Sequence, residues 1–169
     1  MEKCVNYMTL ENLLLAFLNG AENLLLIGIG NRLRKDDAAG LMVISRLKRK
    51  KVKKAILMDC GTVPENFTGT IKRLKPTHII FFDAVEMGKD PGTYAIINED
   101  EMCTGSISTH KQSLQILFRI LKEGVPNVKI MLIGIQPKSL EFGKKLTSPV
   151  NRGVNSLVNI MVKVLGCSL

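Results

Sequence analysis

Along this chain, unbroken apolar runs alternate with stretches whose apolar residues recur every three or four positions. Residues 24–29 form the first run, of the kind found in strands covered on both faces. Similar runs at 55–58, 77–82 and 128–135 predict three more strands. Residues 94–97, after the Asp90-Pro91-Gly92 turn, predict a short strand at a sheet edge, where antiparallel pairing is open. Helical spacing predicts helices at 36–49, from His110 to 123, and at 148–165, with a short one ending at Leu74. The last carries an apolar stripe of Val150, Val154, Leu157, Val158, Met161 and Val164. A further helix at 10–18, with Thr9 as N-cap and Gly20 as its stop, precedes the first strand.

Strands alternating with helices predict a three-layer α/β/α sandwich around a mostly parallel five-stranded sheet. One α/β domain is expected over residues 23–169, with a helical extension over residues 1–22 packed on it. No repeat, low-complexity tract or linker interrupts it.

In an open parallel sheet, ligands bind beyond the carboxyl ends of the strands. The loops there present Asn31, Asp36, Asp37, Asp59, Glu65, Asn66, Asp83, Glu86 and Gln136, and His110 opens a helix that reaches the same rim. The other histidine, His78, enters a strand at its opposite end and reads as structural. Two carboxylates and one imidazole suit a first-row divalent metal, and three protein ligands leave positions open for substrate or water. Acids at a helix start are equally dipole partners or caps, so Asp36 and Asp37 keep both readings. The Gly28-Ile29-Gly30 turn lacks the third glycine of a dinucleotide fingerprint, with Leu33 in its place, and the adjacent acids would repel a pyrophosphate. Cys103, seven residues before His110, raises a thiol–imidazole nucleophile, but nothing nearby orients it.

Composition changes this picture little. The net charge of +9 raises nucleic-acid binding, yet much of the excess falls in residues 46–54, with no interleaved aromatics to stack bases. A solvated face is the simpler reading, and a basic surface for an acidic protein partner stays open. Four cysteines at scattered positions suit free thiols in a reducing compartment. With no secretory pattern and no span-length apolar run, a soluble, cytoplasmic protein is expected, without membrane or nucleic-acid partners.

Five segments together resemble the nickel–iron hydrogenase maturation endopeptidases. The stretch Leu26-Ile27-Gly28-Ile29-Gly30-Asn31-Arg32-Leu33-Arg34-Lys35-Asp36-Asp37 resembles the family's opening motif. Asp59-Cys60-Gly61-Thr62-Val63-Pro64-Glu65-Asn66 is similar to its second loop, and Asp83-Ala84-Val85-Glu86-Met87-Gly88 to its third. Ser108-Thr109-His110 stands where the family's histidine motif stands. Gly134-Ile135-Gln136-Pro137 resembles a segment of the branch serving formate-hydrogenlyase-type hydrogenase.

The resemblance implies an endopeptidase that removes the C-terminal extension of a hydrogenase large-subunit precursor after nickel insertion. It also implies that Asp37, Asp83 and His110 contact the nickel, which the substrate supplies, and that the enzyme is a monomer. Lys35 and Ala38 stand where the family usually has glycine, and Cys60 replaces a frequent glycine. Two other classes stay open: a checkpoint chaperone that holds the loaded precursor uncut, and a nucleotide- or phosphate-binding α/β protein.

Overall fold

The computed structural model describes residues 9–98, 107–108 and 110–167. Among the described residues, strands β1 (Leu24–Gly28), β2 (Ile56–Asp59), β3 (His78–Glu86), β4 (Tyr94–Ile97), β5 (Ile107–Ser108) and β6 (Lys129–Ile135) combine with five α-helices. These are α1 (Leu10–Phe17), α2 (Ala39–Arg49), α3 (Thr68–Leu74), α4 (Lys111–Gly124) and α5 (Ser148–Cys167). Short 3-10 turns, Lys35–Ala38 and Pro64–Phe67, lead into α2 and α3.

Five strands lie in the order β2-β1-β3-β6-β4. All neighbours are parallel except β4, which runs antiparallel to β6 at the edge. The strand alternation divides the core in two. Leu24, Leu26, Ile80 and Phe82 pack with α1, α2 and α5, whereas Leu25, Ile27, Ile79 and Phe81 pack with α3 and α4. Both faces of the sheet are therefore covered, which is why β1 reads as an unbroken apolar run. Helix α1 rests on α5 through buried Leu14 and Leu18, with Glu11 paired to Lys163 at 2.7 Å.

Two elements and one side chain differ from expectation. The helix expected at 36–49 begins as a 3-10 turn and becomes α-helical only at Ala39. Arg46, expected on a solvated face, reaches across to α5 and donates to Asn151 and Asn155. Strand β3 does not close at Phe82 but continues to Glu86.

That overshoot positions the candidate site. The pairing of β1 with β3 ends at Gly28 opposite Phe82. Beyond it, β6 still pairs with Asp83 and Ala84, and β5 pairs antiparallel with Val85 and Glu86. The side of β3 that β1 leaves is covered by the turn Lys35–Ala38. Close approach there depends on Gly40, where an added Cβ would lie 2.1 Å from the Phe82 carbonyl oxygen.

Candidate active site

The loop after β1 is a chain of short-range bonds that fixes Asp37. Asn31 Oδ1 accepts the Leu33 N–H at 2.9 Å, and the Asp37 N–H donates to the Arg34 carbonyl at 2.8 Å. The Asp37 carbonyl in turn accepts the Asn31 N–H at 3.2 Å. Gly30, at φ +143°, lies so close that a Cβ would come 1.8 Å from the Asp37 carbonyl oxygen. Only glycine fits both the conformation and the space. Asp37 is 1% exposed and Asp83 is fully buried, yet both stand at the carboxyl end of the sheet.

His110 comes from a different part of the chain. It is the N-cap residue of α4, and its carbonyl accepts the Leu114 N–H at 2.9 Å. A ring N–H donates to the Thr62 carbonyl in the loop after β2. Ser113, one turn into α4, donates to Glu65 Oε1 at 3.1 Å and ties the helix to that same loop. The His110 Nε2 then lies 3.9 Å from Asp37 Oδ2, with the two side chains 9% and 2% exposed.

Burial pushes the His110 pKa below its ordinary value. Asp37, the Thr62 bond and Glu65 pull the other way, and Arg34 adds to the lowering. The imidazole is therefore neutral at pH 7, the form that ligates a metal or accepts a proton. Asp83 Oδ1 accepts the N–H of Ala84 at 2.9 Å. The structure thus brings Asp37 and His110 within ion-pair range and places Asp83 on the strand against which the Asp37 turn packs. Among the described residues, no three His, Cys, Asp or Glu side chains are gathered as a metal-binding group.

The family model for hydrogenase maturation proteases matches residues 41–164. The chain belongs to that family. A Methanocaldococcus jannaschii protein assigned to the same maturation role is 37% identical over 164 residues, covering 92% of this chain and 96% of that one. The hydrogenase 3 maturation protease of Escherichia coli K12 is 31% identical over 133 residues, covering 78% and 84%. Among solved structures, the [NiFe] hydrogenase maturation protease HycI of Thermococcus kodakarensis superposes with a TM-score of 0.78 at 30% identity, covering 91% of this chain and 99% of that one. The fold class and the enzymatic reading expected from sequence both stand.

The remaining rim residues of this maturation protease divide by task. Asp36 accepts backbone N–H bonds from Lys138, Ser139 and Thr147 and the Thr147 hydroxyl, at 2.7–3.0 Å. It is a structural staple. Asp59 accepts the Gly61 N–H at 3.1 Å and pairs with Arg32. Gln136 Oε1 accepts the N–H groups of Met87 and Lys89, while its Nε2 donates to Glu86 at 2.7 Å, which shapes the loop after β3. Asn66 is exposed.

His78 is buried at the far end of β3, edge-on to Phe17 at 5.2 Å between ring centres, as its structural reading expects. Cys60 is buried, and burial with the neighbouring Asp59 charge pushes its thiol up to about 12. That thiol is inert at neutral pH. Cys103 and Thr109, which carried the thiol–imidazole reading and part of the histidine motif, lie outside the described residues. Lys35 holds φ +34° where relatives were expected to carry glycine, and its ammonium pairs with Glu141 at 2.7 Å. Sequence reasoning missed Thr62 and Ser113, which orient the histidine side. A lone Ser in a first helical turn gives no signal of such a role. Among the described residues, no helix is long and apolar enough to cross a membrane.

Proposed function

We propose that this endopeptidase removes the C-terminal extension of a nickel–iron hydrogenase large-subunit precursor once nickel is in place, and that Asp37, Asp83 and His110 read the metal. One observation carries the proposal. A buried carboxylate and a neutral imidazole from distant stretches of chain meet 3.9 Å apart at the carboxyl edge of the sheet. Burying such groups costs stability, so their convergence speaks for function.

Nickel arrives as part of the substrate, held by the precursor's own thiolates, so the chain need supply only part of a coordination sphere. The bound ion supplies Lewis acidity toward a carbonyl or a water. Asp37 and His110 present an anionic oxygen and a lone-pair nitrogen to the incoming group, and their recessed position keeps bulk water from both. Asp83, inside β3, is fixed by the strand itself. The Thr62 carbonyl holds the imidazole's orientation, as a partner behind a ligating histidine commonly does.

The test compares nickel-loaded and nickel-free precursor, each incubated with the purified protein and then weighed by mass spectrometry. Cleavage of the loaded form alone is expected. Equal cleavage of both would remove nickel from recognition, and a stable complex with uncut loaded precursor would favour the chaperone reading.

A further inference from the structure

We propose that Phe142 and its loop form the surface on which this protease seats the folded body of its precursor, the matching feature being an apolar socket edged by carboxylates. The inference rests on the proposed reading of the site. Phe142 is 83% exposed, in the segment between β6 and α5. A lone exposed apolar residue needs no explanation. This one is held out by a rigid mount.

Asp36 binds the segment through Lys138, Ser139 and Thr147. Arg34 Nε donates to the Leu140 carbonyl at 2.9 Å. The Lys35 N–H donates to the Gly143 carbonyl at 2.8 Å, and the Gly143 N–H to the Leu33 carbonyl at 2.9 Å. Every anchor lies in residues 33–36, directly before Asp37. Leu33, itself 57% exposed, is tied by its backbone to Gly143, the residue after Phe142, and adds apolar surface to the same loop pair. A rigid aromatic displayed on a site's rim is the usual form of a binding anchor.

Charge and depth identify the occupant. Asp37 and Asp83 are sealed to within 1% exposure, so a chain end must insert to reach them while the body that carries it rests on the rim. Exposed Lys138, Lys144 and Lys145 flank Phe142 on a chain of net charge +9, while the adjacent Glu141 is already paired with Lys35 at 2.7 Å. A second copy of this chain would set like charges against each other, whereas an acidic-edged surface complements them.

Phe142→Ala is compared with the unaltered protein for cleavage of nickel-loaded precursor, and again in an Asp37→Asn background for precursor binding without cleavage. Expected are a KM and a dissociation constant raised about ten-fold, a kcat changed by less than about two-fold, and an unchanged melting temperature. Leu15→Ala, a change on α1 away from this loop, leaves KM, kcat and precursor binding unaltered. Unchanged KM and binding overturn the proposal, as does a loss confined to kcat. A changed oligomeric state with unchanged precursor binding also overturns it, in favour of a self-interface. Because binding is read without chemistry, failure of the nickel reading leaves this result interpretable.

Discussion

Asp36 receives both the backbone N–H and the hydroxyl of Thr147, at 2.7 and 2.8 Å, from a point 111 residues further along the chain. With Lys138 and Ser139 also donating, this fully buried carboxylate closes the rim loop over the site. Replacing Asp36 by Ala leaves three N–H groups in a part-buried setting without their acceptor. The expected loss is about 3 kcal/mol or more, read by urea denaturation. A loss under about 1 kcal/mol would show that the staple contributes little.

Asp37 predicts the opposite behaviour. Its carboxylate faces His110 and is proposed to meet substrate, so Asp37→Asn keeps the shape and removes the charge. Stability should stay within about 1 kcal/mol of the parent, while cleavage of loaded precursor falls by about 100-fold or more. Circular-dichroism melting alongside product mass quantification checks both halves. Retained cleavage would take the carboxylate charge out of the mechanism.

The contrast between these neighbours shows how far the sequence could be read. The apolar runs and their alternation announced both helical layers and the parallel sheet, because each strand must match the faces that cover it. They could not reveal that β3 runs on to Glu86, because its pairing partner there is the two-residue strand Ile107–Ser108 from a polar stretch. Nor could they separate Asp36 from Asp37. The donors that make Asp36 structural come from residues 138–147, and no local pattern links the two segments. His110 was legible because only two histidines exist and one sits at the wrong end of a strand. Its Thr62 and Glu65 surroundings depend on a loop fold that periodicity does not encode.

Cys60 gives a chemical check on burial. Its thiol, pushed up to about 12 by burial and then by Asp59, holds almost no thiolate at pH 8. Native protein treated with iodoacetamide should show Cys60 unmodified by peptide mapping, with full modification once the chain is unfolded in urea. Rapid native labelling would place that thiol at the surface.

Both described histidines carry lowered pKa values, His110 mainly through burial and His78 through burial and then Lys129. A group that protonates less readily when folded gives the unfolded chain more protons below its ordinary pKa of 6.5. The sign follows: stability is flat above that pH and falls as pH drops from 6.5 toward the lowered values. The slope is at most about 1.4 kcal/mol per pH unit for each histidine. Urea melts between pH 7 and pH 5.5, in the parent and in His78→Gln, should show the shallower slope in the variant. Identical slopes would mean that His78 titrates alike in both states.

Lys35 is where this chain departs from the glycine its resemblance to the family leads one to expect, and its φ of +34° is a conformation that costs a side-chain-bearing residue about 1 kcal/mol. Lys35→Gly relieves that strain. It also loosens the unfolded chain by about 0.5–1 kcal/mol and removes a pair with Glu141, whose side chain is 78% exposed, so the opposing effects nearly cancel. Stability should change by less than about 1 kcal/mol, and cleavage should persist, since the Lys35 N–H that anchors Gly143 survives. Lys35→Val loses the same pair but keeps a Cβ and adds a branch there that disfavours positive φ, and should cost about 1–2 kcal/mol more than the glycine variant. Equal stability of the two variants, measured by denaturant midpoint, would show that the turn relaxes freely and that lysine holds no strain there.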